Sequence, residues 1–154
     1  MNPRADYRRA APAVLVAMRG LEAAVRGSPL ETALLELIRV RVSQINGCAF
    51  CLDMHNRDAR AAGITQQQLD LLPAWREAPC FDARQRAALA YAEALTLIAR
   101  QPIDDALYAE VSAHFDDAAL AQLSLAIIAI NGWNRLAIAF RTPLPSIGQP
   151  AHGP

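Results

Sequence analysis

The chain has 154 residues, 53% of them hydrophobic and 19% charged, which suits one globular domain with a substantial core. Fifteen basic residues cancel fifteen acidic ones, leaving no basic field for nucleic acid and no polybasic run for a membrane surface. Three cysteines are too few for a secreted disulfide framework, so the expected setting is cytoplasmic, where a close cysteine pair is more often redox-active or metal-binding than structural.

Arg4, Arg8 and Arg9 precede an apolar run from Ala10 to Met18 in the manner of a secretory signal, but no small-x-small cleavage site follows. Leu15, Met18, Leu21 and Val25 instead continue at helical spacing, which predicts an amphipathic helix over 10–26 ended by Gly27. Ser28-Pro29-Leu30-Glu31 then sets a capping serine, a first-position proline and a box-closing glutamate before a second helix, 29–45. Inside it Glu36 lies between Leu35 and Leu37, on one face with Ala33, Val40 and Ser43. Buried among such neighbours, its carboxyl would carry a raised pKa suited to a base near neutral pH. Pointing to water, or pairing with Arg39 or Arg41, is the competing reading.

The third helix, 48–62, opens on the most informative stretch, Asn46-Gly47-Cys48-Ala49-Phe50-Cys51-Leu52-Asp53-Met54-His55. Gly47 lets the chain turn, and Cys48 falls at or just before the first helical turn. Unpaired amide hydrogens and the positive end of the helix dipole there favour an anion, hence a thiolate. Cys48 and Cys51 are i and i+3 and can close a disulfide; Cys51 and His55 are i and i+4, so an imidazole stands on the same face to take the thiol proton. A structural zinc site is the rival, built on Cys48, Cys51 and His55 with Cys80 or His114 as fourth ligand. Haem attachment needs histidine where Leu52 stands, and an iron–sulfur cluster typically needs four thiolates. A thioredoxin domain needs strands, and none is predicted.

Gly63 closes this helix. Thr65 with Gln68, and Asp82 with Gln85, repeat the capping pattern before helices 66–72 and 83–100, with a Pro-containing connector from Pro73 to Phe81 between them. Asp104 and Asp116 cap helices 105–113 and 117–140. The last helix carries the longest apolar stretch, Leu123–Phe140, but Ser124, Asn131, Asn134 and Arg135 interrupt it. That favours burial in protein, partly at a subunit interface, over a membrane span. Asn131, Asn134 and Arg135 share one face and predict a buried hydrogen-bond network, with Glu93 as a candidate partner; Gly132 suggests close backbone packing. Cys80 reads as a bystander and His114 as solvated. The division is a helical domain over 1–142 and a Pro/Gly-rich tail over 143–154, either disordered or an extended strap.

Glu36, eleven residues, Cys48-Ala49-Phe50-Cys51, three residues and His55 together resemble the core signature of AhpD-like alkylhydroperoxidases, within the carboxymuconolactone decarboxylase superfamily. Tyr91-Ala92-Glu93-Ala94-Leu95 and Ile130-Asn131-Gly132-Trp133-Asn134-Arg135-Leu136-Ala137 extend the resemblance, which spans roughly Ala10 to Thr142. It implies an all-α bundle of six to seven helices that assembles as a trimer or hexamer. It also implies that Cys51 attacks a hydroperoxide, Cys48 resolves the sulfenic acid, His55 relays protons and Glu36 acts as base. No metal or organic cofactor is expected, and the reductant is an external dithiol or lipoyl-type group. Phe50 departs from members with histidine or tyrosine there, since phenylalanine cannot join a hydrogen-bond relay. Two other functions compete: a decarboxylase-like enzyme acting on a small lactone, which has no need of a CxxC, and a non-enzymatic redox or zinc module.

Overall fold

The computed structural model describes residues 2–144, and every regular element among them is helical. Eight α-helices follow in order: α1 (Tyr7–Ala10), α2 (Pro12–Arg26), α3 (Thr32–Asn46), α4 (Ala49–Ala61), α5 (Gln66–Leu71), α6 (Ala83–Thr96), α7 (Asp105–Ser112) and α8 (Asp117–Phe140). A 3-10 turn at Leu72–Ala74 begins the connector to α6.

The count exceeds the expected seven because Pro12 separates α1 from α2, ending the first turn of helix at Ala11. The tail expected over 143–154 lies mostly outside the described residues. A second correction concerns Ser28. The helix after it starts at Thr32, with Glu31 in the N-cap position and no side-chain cap, so the serine caps nothing. The other caps form as expected: Thr65 and Asp82 each close a reciprocal box with the glutamine three residues on, and Asp104 and Asp116 accept the amides of Leu107 and Ala119. The helix expected over 83–100 stops at Thr96.

Helix α3 is the axis of the bundle and packs against α4, α6 and α8. From Leu34 to Val40 every residue is buried, so no face of this stretch remains for solvent. Leu37, Ile38, Val40 and Val42 join Leu89 of α6 and Leu123, Ile127 and Ile130 of α8 in a core with no exposed surface. Each such side chain contributes about 1.5–3 kcal/mol by leaving water. Burial on all sides also takes Glu36 and Arg39 indoors, where a lone charge is costly; this is the local reason they pair.

Helix α8 is long and apolar enough to cross a membrane by composition, yet half of its most apolar stretch is buried within the fold. Its C-terminal end is closed by the N-terminal segment: the Arg4 amide donates to the Phe140 carbonyl at 3.1 Å, the Arg4 guanidinium to the Ala139 carbonyl at 2.8 Å, and Tyr7 packs on Phe140. A cation at a helix C-terminus meets the negative end of the dipole.

Candidate active site

The turn between α3 and α4 places the cysteines. Gly47 adopts φ +69°, a left-handed conformation that a side chain disfavours, and the Cys48 amide donates back to the Ser43 carbonyl at 3.0 Å. Cys48 thereby becomes the N-cap of α4, its sulfur accepting the Cys51 amide at 3.4 Å. The sulfurs of Cys48 and Cys51 face one another as a disulfide, with Cα atoms 5.3 Å apart. Both residues are buried, 1% and 2% exposed, against Phe50 and Ala137.

A cluster of amides ties this turn to α8. Asn46 Nδ2 donates to both Asn131 Oδ1 and Asn134 Oδ1 at 2.9 Å, and Asn134 Nδ2 donates to Ser43 Oγ at 3.1 Å. Arg135 bonds the Asn131 carbonyl and side chain, and Asn131 reaches Thr96. The polar patch expected within α8 is thus a network, with Asn134 fully buried. Glu93 is not its partner. Glu93 instead accepts from Trp75 Nε1, Arg41 and Arg76 at 2.6–2.8 Å, a separate buried cluster.

One turn beyond Cys51, His55 is buried with Nδ1 2.8 Å from Glu36 Oε2. The other Glu36 oxygen takes Arg39 at 2.5 Å, and Arg39 reaches on to Glu22 at 2.8 Å. Burial is the largest single influence on the Glu36 carboxyl and pushes its pKa up; the hydrogen bond and charge of His55, with Arg39 beside it, outweigh burial together. The net shift is downward, so the raised pKa expected from the sequence is not found. The pairing with Arg39 that stood as the competing reading is present, alongside the imidazole. An ionised Glu36 only accepts, so His55 Nδ1 carries the proton towards it, and Nε2 is the ring nitrogen left open.

Glu36 and His55 line a cavity of about 550 Å³ with Arg39, Met54, Asp58 and Trp133 among its walls. Glu36, His55 and Asp58 bring ligand-type atoms within 4.8 Å of one another. Both Glu36 oxygens are already engaged by Arg39 and His55, which weakens that trio as a cation site. The zinc set inferred from sequence is not assembled, because Cys48 and Cys51 bond to each other. Cys80 is a half-buried free thiol, His114 is exposed, and His152 falls outside the described residues. Arg39 was read from the sequence only as a partner for Glu36, and Glu22, which completes the charge chain, was not singled out. Nothing in a spacing of 17 residues signals their pairing.

A helical frame holding a buried cysteine pair at a helix start, one turn before a carboxylate-bound histidine, defines a class of dithiol protein. The chain belongs to the carboxymuconolactone decarboxylase family, whose model matches residues 10–94, and within it to the AhpD-like group. It is 41% identical over 139 residues to the uncharacterised protein YdfG of Bacillus subtilis (strain 168), covering 90% of this chain and 95% of YdfG. It is similar to the crystal structure of an Agrobacterium tumefaciens protein of unknown function, suggested to be the antioxidant defence protein AhpD. That likeness has a TM-score of 0.90 and 40% identity, over 94% of this chain and 99% of the other. An uncharacterised peroxidase-related protein from Silicibacter sp. TM1040 shares the fold with a TM-score of 0.77 and 29% identity, over 88% of this chain and 73% of that one.

Proposed function

We propose that the protein is a thiol-dependent hydroperoxide reductase that cycles Cys48 and Cys51 between dithiol and disulfide. The observation that carries this reading is the cysteine pair at the N-terminus of α4, one turn from a histidine held by the buried Glu36. In the reduced protein, Cys51 gives its proton to His55 Nε2 and the thiolate attacks the terminal peroxide oxygen. The S–O bond forms as the O–O bond breaks; the alkoxide leaves and takes the proton from His55 as an alcohol. Cys48 then attacks the sulfur of the Cys51 sulfenic acid, the disulfide closes and water departs. An external dithiol or lipoyl-type group in the cytoplasm returns two electrons and two protons.

Glu36 is assigned as the group that fixes the ring and balances the imidazolium, since its lowered pKa makes it a poor base at neutral pH. The names of the relatives, one suggested for antioxidant defence and one peroxidase-related, support the same chemistry. The test is single-turnover consumption of peroxide by pre-reduced protein. One equivalent is expected to disappear per cysteine pair, with a loss of two hydrogens and a linked Cys48–Cys51 peptide. Cys51→Ser is expected to abolish turnover and Cys48→Ser to stop at the sulfenic acid. Parent rates in Cys51→Ser would sink the assignment.

A further inference from the structure

Arg39 is matched by more negative charge than it needs. Its Nη1 donates to Glu36 at 2.5 Å and its Nη2 to Glu22 of α2 at 2.8 Å, so one guanidinium spans two carboxylates on two helices. The trio is largely withdrawn from water; even Glu22, the outermost, has a side chain only 15% exposed. One carboxylate would neutralise the guanidinium. The second leaves the trio one negative charge in excess, where charge is costly. Local pairing does not put Glu22 there. Arg19 and Arg26 stand three residues before it and four after it on α2, within reach along the helix, yet Glu22 pairs across the bundle with Arg39.

The excess is answered at the far end of the chain. Glu36 Oε2 faces His55 Nδ1 at 2.8 Å, and an imidazolium there would bring the four groups to neutrality. Without Glu22, Glu36 and Arg39 already cancel, and a second proton on the ring would place an unbalanced positive charge in the same buried site. We propose that Glu22 and Arg39 are positioning residues for His55. Arg39 fixes the Glu36 carboxylate, and Glu22, from a separate helix, supplies the charge that lets the ring take a proton. The other charged side chains on the cavity that these groups line are Asp58 of α4 and Arg26 of α2; both are exposed, opposite in sign and screened by water. Helix α8 gives that wall only Trp133. The inference rests on the peroxide-reducing reading for the source of the proton, which passes from the Cys51 sulfur to His55 Nε2 and leaves a thiolate beside an imidazolium.

The experiment uses the full chain and measures second-order peroxide consumption by the reduced parent, Glu22→Gln, His55→Gln and the double variant. Glu22→Gln keeps the side-chain shape and is expected to slow the parent about ten-fold, the worth of one charge acting over such a chain. In the His55→Gln background the same change is expected to cost less than about two-fold, because the group it acts through is gone. Equal losses in both backgrounds, or a Glu22→Gln rate equal to the parent's, overturn the proposal. Ring nitrogen signals of ¹⁵N-labelled disulfide-form protein give a readout that needs no peroxide. The chain has three histidines, and the His55 signals are those lost in His55→Gln. They are expected to move in Glu22→Gln, and also in Arg39→Lys, which keeps the charge but lacks the fork that spans two carboxylates, while those of the other two histidines stay. An unmoved His55 signal in either variant overturns the proposal. If reduced protein consumes no peroxide while the His55 signals respond to both changes, the peroxidase reading falls and the tether from α2 to His55 stands.

Discussion

At the scale of the residue, His55 is the hinge between the sulfurs and the buried charges. Its Nδ1 is committed to Glu36, which itself is held by Arg39, so the ring is fixed from behind and only Nε2 is open for proton transfer. His55→Gln is expected to lower the second-order rate with hydroperoxide by about 100-fold or more, the usual worth of a positioned acid–base group. Glu36→Gln preserves shape but removes the charge that faces the imidazolium and Arg39. It should slow the reaction less than the histidine change, and stopped-flow consumption of peroxide by the reduced variants gives the order. A Glu36→Gln rate below that of His55→Gln would mean that the carboxylate, not the imidazole, takes the proton. Phe50 packs against the two cysteines and offers them no hydrogen bond, so in the proposed cycle proton transfer is assigned to the His55 side.

At the scale of the element, the cysteine-bearing turn is held by α8 as much as by its own helix. Asn46→Ala would release its bonds to Asn131 and Asn134 and free the Gly47 turn. Gly132 of α8 behaves differently. A Cβ there would meet only Met18, its Cε at 2.9 Å and its Sδ at 3.3 Å, the far end of a flexible side chain from α2. Gly132→Ala is therefore expected to be neutral or stabilising by up to about 1 kcal/mol in thermal or urea unfolding, because the gain in helix propensity offsets a small shift of Met18. The same elements show what was legible beforehand. Asp82 with Gln85, Thr65 with Gln68, and the bounds of α8 could be read directly, since caps and apolar periodicity are local. Ser28-Pro29-Leu30-Glu31 misled for a physical reason: the sequence allows a cap, but Leu30 enters the core and the helix begins only at Thr32. Cys48, Cys51 and His55 were readable because helical spacing alone brings them together. The links from His55 to Glu36 and from Arg39 to Glu22 were not, because they depend on how α2, α3 and α4 stack. Burial of Glu36 was foreseen; the sign of its pKa shift was not, since that depends on partners that only the assembled bundle supplies.

At the scale of the whole molecule, two buried carboxylate clusters, at Glu36 and Glu93, join separate parts of the bundle. For each, burial is the largest influence and raises the pKa. The partners overcome it: His55 and Arg39 for Glu36, and Trp75, Arg41 and Arg76 for Glu93. Both folded-state values lie below the ordinary 4.5, so both groups favour the folded state above that pH. Their contribution is lost as pH falls through the lowered values. Urea midpoints are expected to hold steady down to about pH 5 and then decline steeply, and Glu93→Gln should flatten that decline. A midpoint that rises on acidification would reverse the sign. Finally, cysteines only 1% and 2% exposed restrict which electron donors can reach them. Thiol exchange needs an incoming sulfur in line with the bond it breaks, and a folded donor of ordinary bulk has no surface to press against here. A slim thiol on a long swinging tether fits such a recess. The protein is therefore expected to be reduced much faster by free dihydrolipoamide than by a thioredoxin of matched driving force, as followed by thiol release.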